Sequence, residues 1–181
     1  SNVNHPSIIK VEYICPINFH NEDKPVIISE YMNHRSLSNI IGSTNKSYWT
    51  DTYKLICLYG ISSALSCLHS HNYIFKNLKM SNVLFDEFLF PKIDCFGFSR
   101  FNESNECKIP RYIAPETWEQ SIYSQESDVY SFGILMYEII TNQEAFCGNK
   151  FFEIPAKVTS GIRPEFKIQI QSPYKNLIEK C

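Results

Sequence analysis

Five polar residues in the middle of the chain could form a chemical site. They are Asn77, Lys79 and Asn82, followed after a short interval by Asp94 and Cys95. The lysine ammonium can neutralise an anionic group such as a phosphate, whereas an asparagine amide cannot serve as a base at neutral pH. A thiol is a soft ligand, and hard cations such as magnesium prefer carboxylate oxygens. Lys79 could therefore reach a phosphate, whereas Asn77 is unsuited to a general base and Cys95 to a magnesium ligand.

The seven cysteines predict neither a metal site nor a disulfide framework. Their number is odd, and the closest pair, Cys57 and Cys67, lies ten positions apart, so the sequence has no Cys-x-x-Cys ligand pair. Reduced thiols are typical of cytosolic or nuclear proteins. Residues 1–6 also lack the basic start and apolar block of a signal peptide. We therefore expect free thiols and a cytoplasmic location.

Composition excludes several classes of protein. The 181 residues are 44% hydrophobic and 20% charged, as in an ordinary globular domain, which excludes disorder along the whole length. A formal net charge of −2 argues against nucleic acid as a partner. The richest apolar stretch, Phe132 to Ile140, is interrupted by Gly133, Tyr137 and Glu138. It is too short to span a membrane, which needs about 18 apolar residues.

Short runs of β-forming residues predict four strands. Two lie near the start, at Val11 to Cys15 and Val26 to Ser29, and are separated by a polar turn. Two more, Asn82 to Asp86 and Leu89 to Ile93, are close enough together to form a hairpin. Asn82 begins the third predicted strand, and Asp94 and Cys95 follow the fourth.

Hydrophobic periodicity predicts two long helices. The first covers Tyr53 to Ser70, with Thr50 or Asp51 as its N-cap and an apolar stripe at Leu55, Leu58, Ile61, Leu65 and Leu68. The second covers about Gln125 to Thr141, with a buried stripe at Val129, Phe132, Leu135 or Met136, and Ile139. Strands, a long helix, a hairpin and further helices, in that order, predict an α+β domain whose larger part is helical.

Several segments, in the same order along the chain, resemble motifs of the protein kinase family. The segment Leu68–Leu84 is similar to the catalytic loop, and Pro91–Gly97 follows at the spacing of the metal-binding D-F-G segment. In the N-terminal part, Asn4–Ile9 resembles the loop before the fourth strand, and Val26–Met32 resembles the fifth strand with the hinge. Further along, Pro110–Glu116 resembles the end of the activation segment, and Ser127–Leu135 resembles the start of the buried helix that follows it. The collinear order makes coincidence an inadequate explanation.

The resemblance implies a protein kinase-like fold, mainly its helical C-terminal lobe. Residues 1–32 resemble the last strands of the N-terminal lobe and the hinge, and residues 33–181 resemble the C-terminal lobe. By this comparison the chain is a single incomplete domain. It lacks the glycine-rich loop, the strand-three lysine and the helix-C glutamate, and it stops inside the penultimate helix of the usual fold.

The resemblance also assigns roles to the polar residues. Asn77 stands where the family has its catalytic aspartate, Lys79 follows two positions later, and Asn82 matches the asparagine that holds one magnesium. Cys95 stands where the family has the D-F-G aspartate. Asp94 is one position early and would face the other way on an extended chain unless a bulge shifted it. Two of the three catalytic groups are thus replaced.

Other matches concern nucleotide binding. Glu30 and Met32 match the hinge positions whose backbone pairs with adenine, Ser29 matches the gatekeeper, and Leu84 matches the residue beneath the purine. Lys79 could still reach a phosphate. The resemblance implies that ATP and magnesium are possible ligands, with binding that is weak or absent.

Three matches concern how the loop is held. Phe75 replaces the catalytic-loop histidine and would stack on Phe96. Asp128 matches a buried aspartate that accepts hydrogen bonds from the catalytic-loop backbone. Lys76 replaces an arginine that pairs with a phosphorylated loop, and lysine is the poorer bidentate partner.

Three hypotheses about function follow. The first is a kinase-like domain with degenerate catalytic residues, acting in signalling as a scaffold or allosteric partner of other proteins. The second is a working, ATP-dependent serine/threonine kinase of the tyrosine-kinase-like type, with its N-terminal lobe outside this chain. The third is a truncated remnant that has no function and does not fold alone.

Overall fold

The computed structural model describes residues 3–42, 49–95 and 109–181, which form two small sheets and a larger helical part. This architecture confirms the predicted α+β fold class. The strands are β1 (Val11–Cys15), β2 (Val26–Ser29), β3 (Val83–Phe85) and β4 (Pro91–Ile93), and the helices are α1 (Leu37–Gly42), α2 (Asp51–Ser70), α3 (Pro115–Gln120), α4 (Gln125–Thr141), α5 (Ile154–Thr159) and α6 (Ser172–Lys180). Short 3-10 turns cover Met80–Asn82, Pro110–Tyr112 and Phe151–Glu153.

The first sheet is an antiparallel hairpin of β1 and β2, which lie where the sequence predicted them. Val11 pairs with Ser29 and Cys15 with Val26, and the register shifts once near the start of β1. The Asn18 side chain closes the connection by accepting hydrogen bonds from the amides of His20 and Glu22.

Helix α2 begins and ends close to its predicted limits. Thr50 caps it by accepting a hydrogen bond from the Tyr53 amide, as expected of an N-cap threonine. The predicted apolar stripe is wrong at Leu55, which is exposed. Lys54 is buried instead, because its long stem packs against the core while its ammonium reaches Asp51 Oδ1 at 3.3 Å and the Ile140 carbonyl at 3.5 Å.

Helix α4 covers the predicted Gln125–Thr141. It starts with a capping box in which the side chains and amides of Ser124 and Ser127 bind each other. The predicted stripe is wrong at Val129, which is exposed. Most other residues of α4 are buried, and polar residues are among them. Asp128 and Glu138 are among these buried polar residues.

The second sheet is the β3–β4 hairpin. Its strands are shorter than predicted, because the Asp86 carboxylate accepts hydrogen bonds from the amides of Phe88 and Phe90 and makes the connection a turn. Strand β4 is also bonded to the segment before β1, where the Ile9 amide donates to the Ile93 carbonyl at 3.1 Å. The two small sheets are therefore joined at β4.

The largest buried cluster lies around α2 and α4 and includes both strands of the second hairpin. Within the part of the chain that the structure describes, no helix has the length and apolar character needed to cross a membrane.

Gly60 marks the place where α2 comes closest to β4. A Cβ atom at Gly60 would lie 2.6 Å from Pro91 Cγ and 2.9 Å from Ser7 Oγ, whereas a Cβ at Gly42 would meet nothing within 4 Å. We expect Gly60→Ala to be less stable than Gly42→Ala by about 1–2 kcal/mol, since overpacking at Gly60 outweighs its helix-propensity gain, whereas Gly42 at the end of α1 has room for a methyl group. Urea unfolding measures both variants, and equal stabilities would contradict this close packing.

Candidate functional site

A buried aspartate holds the loop between α2 and β3. Asp128, only 1% exposed, accepts hydrogen bonds from the Phe75 amide at 2.6 Å and the Lys76 amide at 2.7 Å. His69 Nε2 donates to the same carboxylate at 2.9 Å. This confirms the predicted role of Asp128, while His69 is a partner that the sequence did not reveal. The three bonds satisfy a charge that would otherwise be costly to bury.

The loop places its polar residues next to one another. The Asn82 side-chain amide donates to the Asn77 carbonyl at 2.9 Å, and the Asp94 amide donates to the Asn82 carbonyl at 2.9 Å. Lys79 is half-buried and extended, just before the turn that contains Asn82. Asn77, Lys79, Asn82 and Asp94 thus lie in one neighbourhood.

Cys95 follows Asp94 at the same edge of the hairpin. Its side chain is half-buried and packs against the core. Burial, helped by the negative charge of Asp94, raises the pKa of the Cys95 thiol to about 12. The thiol is therefore protonated at neutral pH, and a metal ion would have to displace this proton to bind the sulfur.

Cys95 is a poorer magnesium ligand than the carboxylate that the family has at this position. Magnesium takes hard oxygen ligands in octahedral geometry, whereas the D-F-G position holds a protonated thiol. Over residues 3–42, 49–95 and 109–181, no three His, Cys, Asp or Glu side chains form a group that could hold a metal ion. Strand β4 pairs with β3 in regular register up to Ile93, so the strand itself contains no bulge before Asp94.

The residues matched to adenine binding lie around the junction of the two sheets. Glu30 follows β2, Met32 is half-buried two positions later, and Leu84 lies on β3 opposite Lys92 in the strand register. The His34 amide donates to the Phe85 carbonyl at 3.1 Å, which holds the segment after the hinge against β3. The Glu30 carboxylate contacts Lys92, a residue that the sequence did not single out.

The predicted aromatic stack is only half described. Phe75 is buried in the core, as predicted. Phe96 lies outside the described residues, so the stack stays a prediction. Lys76 is exposed, with a positive φ of 64°, and its ammonium lies 5.7 Å from the centre of the Tyr123 ring.

A second buried acid anchors the segment before α3. Arg111 Nε lies 2.8 Å from Glu138 Oε1 and Arg111 Nη1 lies 2.7 Å from Glu144 Oε1. The Tyr112 hydroxyl and the Ala145 amide also donate to Glu138. Burial raises the pKa of Glu138, although Arg111 opposes this effect. Sequence reasoning missed this network, because its members are far apart along the chain.

Comparison with known proteins gives one matching family. The family model described as protein tyrosine and serine/threonine kinase matches residues 1–181. Over all of this chain, 32% of residues are identical to a mimivirus protein (Acanthamoeba polyphaga mimivirus) named "Putative serine/threonine-protein kinase/receptor". Over 88% of the chain, 31% of the residues are identical to an RGS domain-containing serine/threonine-protein kinase of Dictyostelium discoideum. Over 77% of the chain, 34% of the residues are identical to the human tyrosine-protein kinase FRK.

The matched regions are parts of longer proteins. The chain spans 11% of the mimivirus protein, 14% of the Dictyostelium protein and 29% of the human protein.

Proposed function

Because this chain belongs to the protein tyrosine and serine/threonine kinase family, we propose that it is a kinase-like domain with impaired phosphoryl transfer. In this proposal it acts in signalling by binding protein partners in the cytoplasm. The observation that carries the proposal is a cysteine, Cys95, where the family has its D-F-G aspartate. Asn77 at the catalytic-base position supports it.

Phosphoryl transfer relies on positioning and on neutralisation of charge. In this chain Asn77 cannot accept the proton of an attacking hydroxyl, because an amide is not a base at neutral pH. Cys95 offers a neutral sulfur where two phosphate-bridging metal ions would need a carboxylate. Lys79 can still supply a positive charge to a phosphate, so the site keeps a capacity to bind an anion.

Two buried acids hold the segments around this site in place. Asp128 holds the loop through two backbone amides and His69, and Glu138 anchors the segment 110–112 through Arg111 and Tyr112. Both acids are buried within α4. A loop held this firmly without its base and its metal ligand favours a role in binding, because a preordered surface loses little entropy when a partner docks.

A second candidate is an active serine/threonine kinase of the tyrosine-kinase-like type. The names of the relatives favour it, since two of the three are called serine/threonine-protein kinases. Lys79 and Asn82 are present, and the Asp94 carboxylate adjoins Cys95. Catalysis would then need Asp94 to take over the role of the missing aspartate.

Magnesium dependence of nucleotide binding tests the proposal. We expect the affinity for a fluorescent ADP derivative to be low and to change less than about threefold between magnesium and EDTA, because Cys95 gives magnesium no carboxylate. Cys95→Asp is expected to make binding depend on magnesium. The matched control is Cys147→Asp, which changes an exposed cysteine outside the proposed site. Binding by the unaltered protein that weakens tenfold or more in EDTA would contradict the proposal.

A further inference from the structure

Glu30 joins three segments that are distant in the sequence. Its Oε2 atom lies 2.7 Å from Lys92 Nζ on β4. Its Oε1 atom accepts a hydrogen bond from the Lys10 amide at 2.7 Å, and the Glu30 amide donates to the Lys10 carbonyl at 3.0 Å. One carboxylate therefore ties the end of β2 to the segment before β1 and to β4.

This ion pair is far better shielded than the surface pairs of the same hairpin. The side chains of Lys92 and Glu30 are 16% and 25% exposed, against 72% and 50% for Lys24 and Glu22. Burial alone would raise the pKa of the Glu30 carboxyl, but the hydrogen bonds from Lys92 and the Lys10 amide lower it overall. Glu30 is therefore charged at neutral pH, and its contact with Lys92 is little screened by solvent.

We propose that Glu30 and Lys92 form a hinge clamp that positions the backbone of residues 30–32 against the β3–β4 hairpin. Lys92 pairs in register with Leu84, so the clamp connects the hinge to the strand that carries the predicted floor of the adenine site. Glu30 and Lys92 act through this backbone and are positioning residues. The ion pair itself does not depend on the proposed function, but the binding of an adenine nucleotide at the hinge rests on that function.

Amide hydrogen exchange of the whole chain without nucleotide tests the clamp. In Lys92→Met and in Glu30→Gln, the amides of Lys10 and Glu30 are expected to exchange on the order of tenfold faster, because local opening no longer breaks an ion pair. The Leu135 amide, in the buried middle of α4, is the internal reference and should keep its rate. The matched control is Lys24→Met, which removes only the exposed ion pair with Glu22. Lys92→Arg keeps the positive charge at position 92, so the amides of Lys10 and Glu30 should exchange as slowly as in the unaltered protein.

Unchanged exchange at Lys10 and Glu30 would overturn the clamp. So would an increase that the Leu135 amide shares, since that pattern reports general loss of stability.

The link to nucleotide has its own measurement. Titration with a fluorescent ADP derivative is expected to show about three- to tenfold weaker binding by Lys92→Met, with Lys24→Met unchanged, if the clamp preorganises the hinge. Equal affinities would overturn the positioning role. If the unaltered protein binds no nucleotide, the assignment of the cleft fails, and the exchange rates still decide whether the clamp exists.

Discussion

With ATP and magnesium, the protein is expected to transfer phosphate at roughly 10⁻³ per second or less, against ~1–100 per second for ordinary protein kinases. Loss of the general base at Asn77 costs on the order of 10²–10⁴ in rate. Loss of the metal ligand at Cys95 removes several kcal/mol of transition-state stabilisation, on the order of another 10³. The two losses multiply if they are independent, so the combined effect is the largest expected for this protein.

Incorporation of radiolabelled phosphate into general protein substrates measures this rate. The background control is a Lys79→Ala, Asn82→Ala double variant, which removes the two matching polar residues that remain. We expect the unaltered protein and the double variant to be indistinguishable. Incorporation clearly above the double variant would favour the active-kinase candidate over the proposed function.

Asp128→Ala is expected to destabilise the protein by about 3–5 kcal/mol, the range found when one partner of a buried polar cluster is removed. The substitution leaves the amides of Phe75 and Lys76 and the ring nitrogen of His69 without their acceptor. The cost is large because the carboxylate is almost fully buried and serves all three donors.

Urea unfolding by circular dichroism measures this cost, provided that the unaltered chain unfolds in one cooperative transition. Glu126→Ala is the matched control, because Glu126 is an exposed acid in the first turn of the same helix. Apart from the loss of a favourable charge near the helix N-terminus, Glu126→Ala should change the free energy of unfolding by no more than about 0.5 kcal/mol. Similar losses for both variants would contradict the anchoring role of Asp128, and a chain without a cooperative transition would favour the remnant hypothesis.

Secondary structure that depends on local residue patterns could be predicted from the sequence. The spacing of apolar residues located α2 and α4, and short β-forming runs located all four strands, because both patterns depend on neighbours within a few positions. The collinear motifs gave the kinase-like fold, and the roles of Thr50 and Asp128 followed from a capping preference and from that resemblance. The local pattern failed at Leu55 and Val129, which match the helical period but face solvent.

Features that depend on distant residues required the tertiary structure. Nothing near Glu30 in the sequence indicates that its carboxylate meets Lys92, and nothing near Arg111 indicates a partner in Glu138. Charged side chains are common on any surface, so a pattern cannot tell which of them are buried and paired. The sequence shows directly that residues 77 and 95 are asparagine and cysteine, but it does not show that the Cys95 thiol is protonated. Its pKa is set by burial and by the charge of Asp94, and burial exists only once the chain has packed.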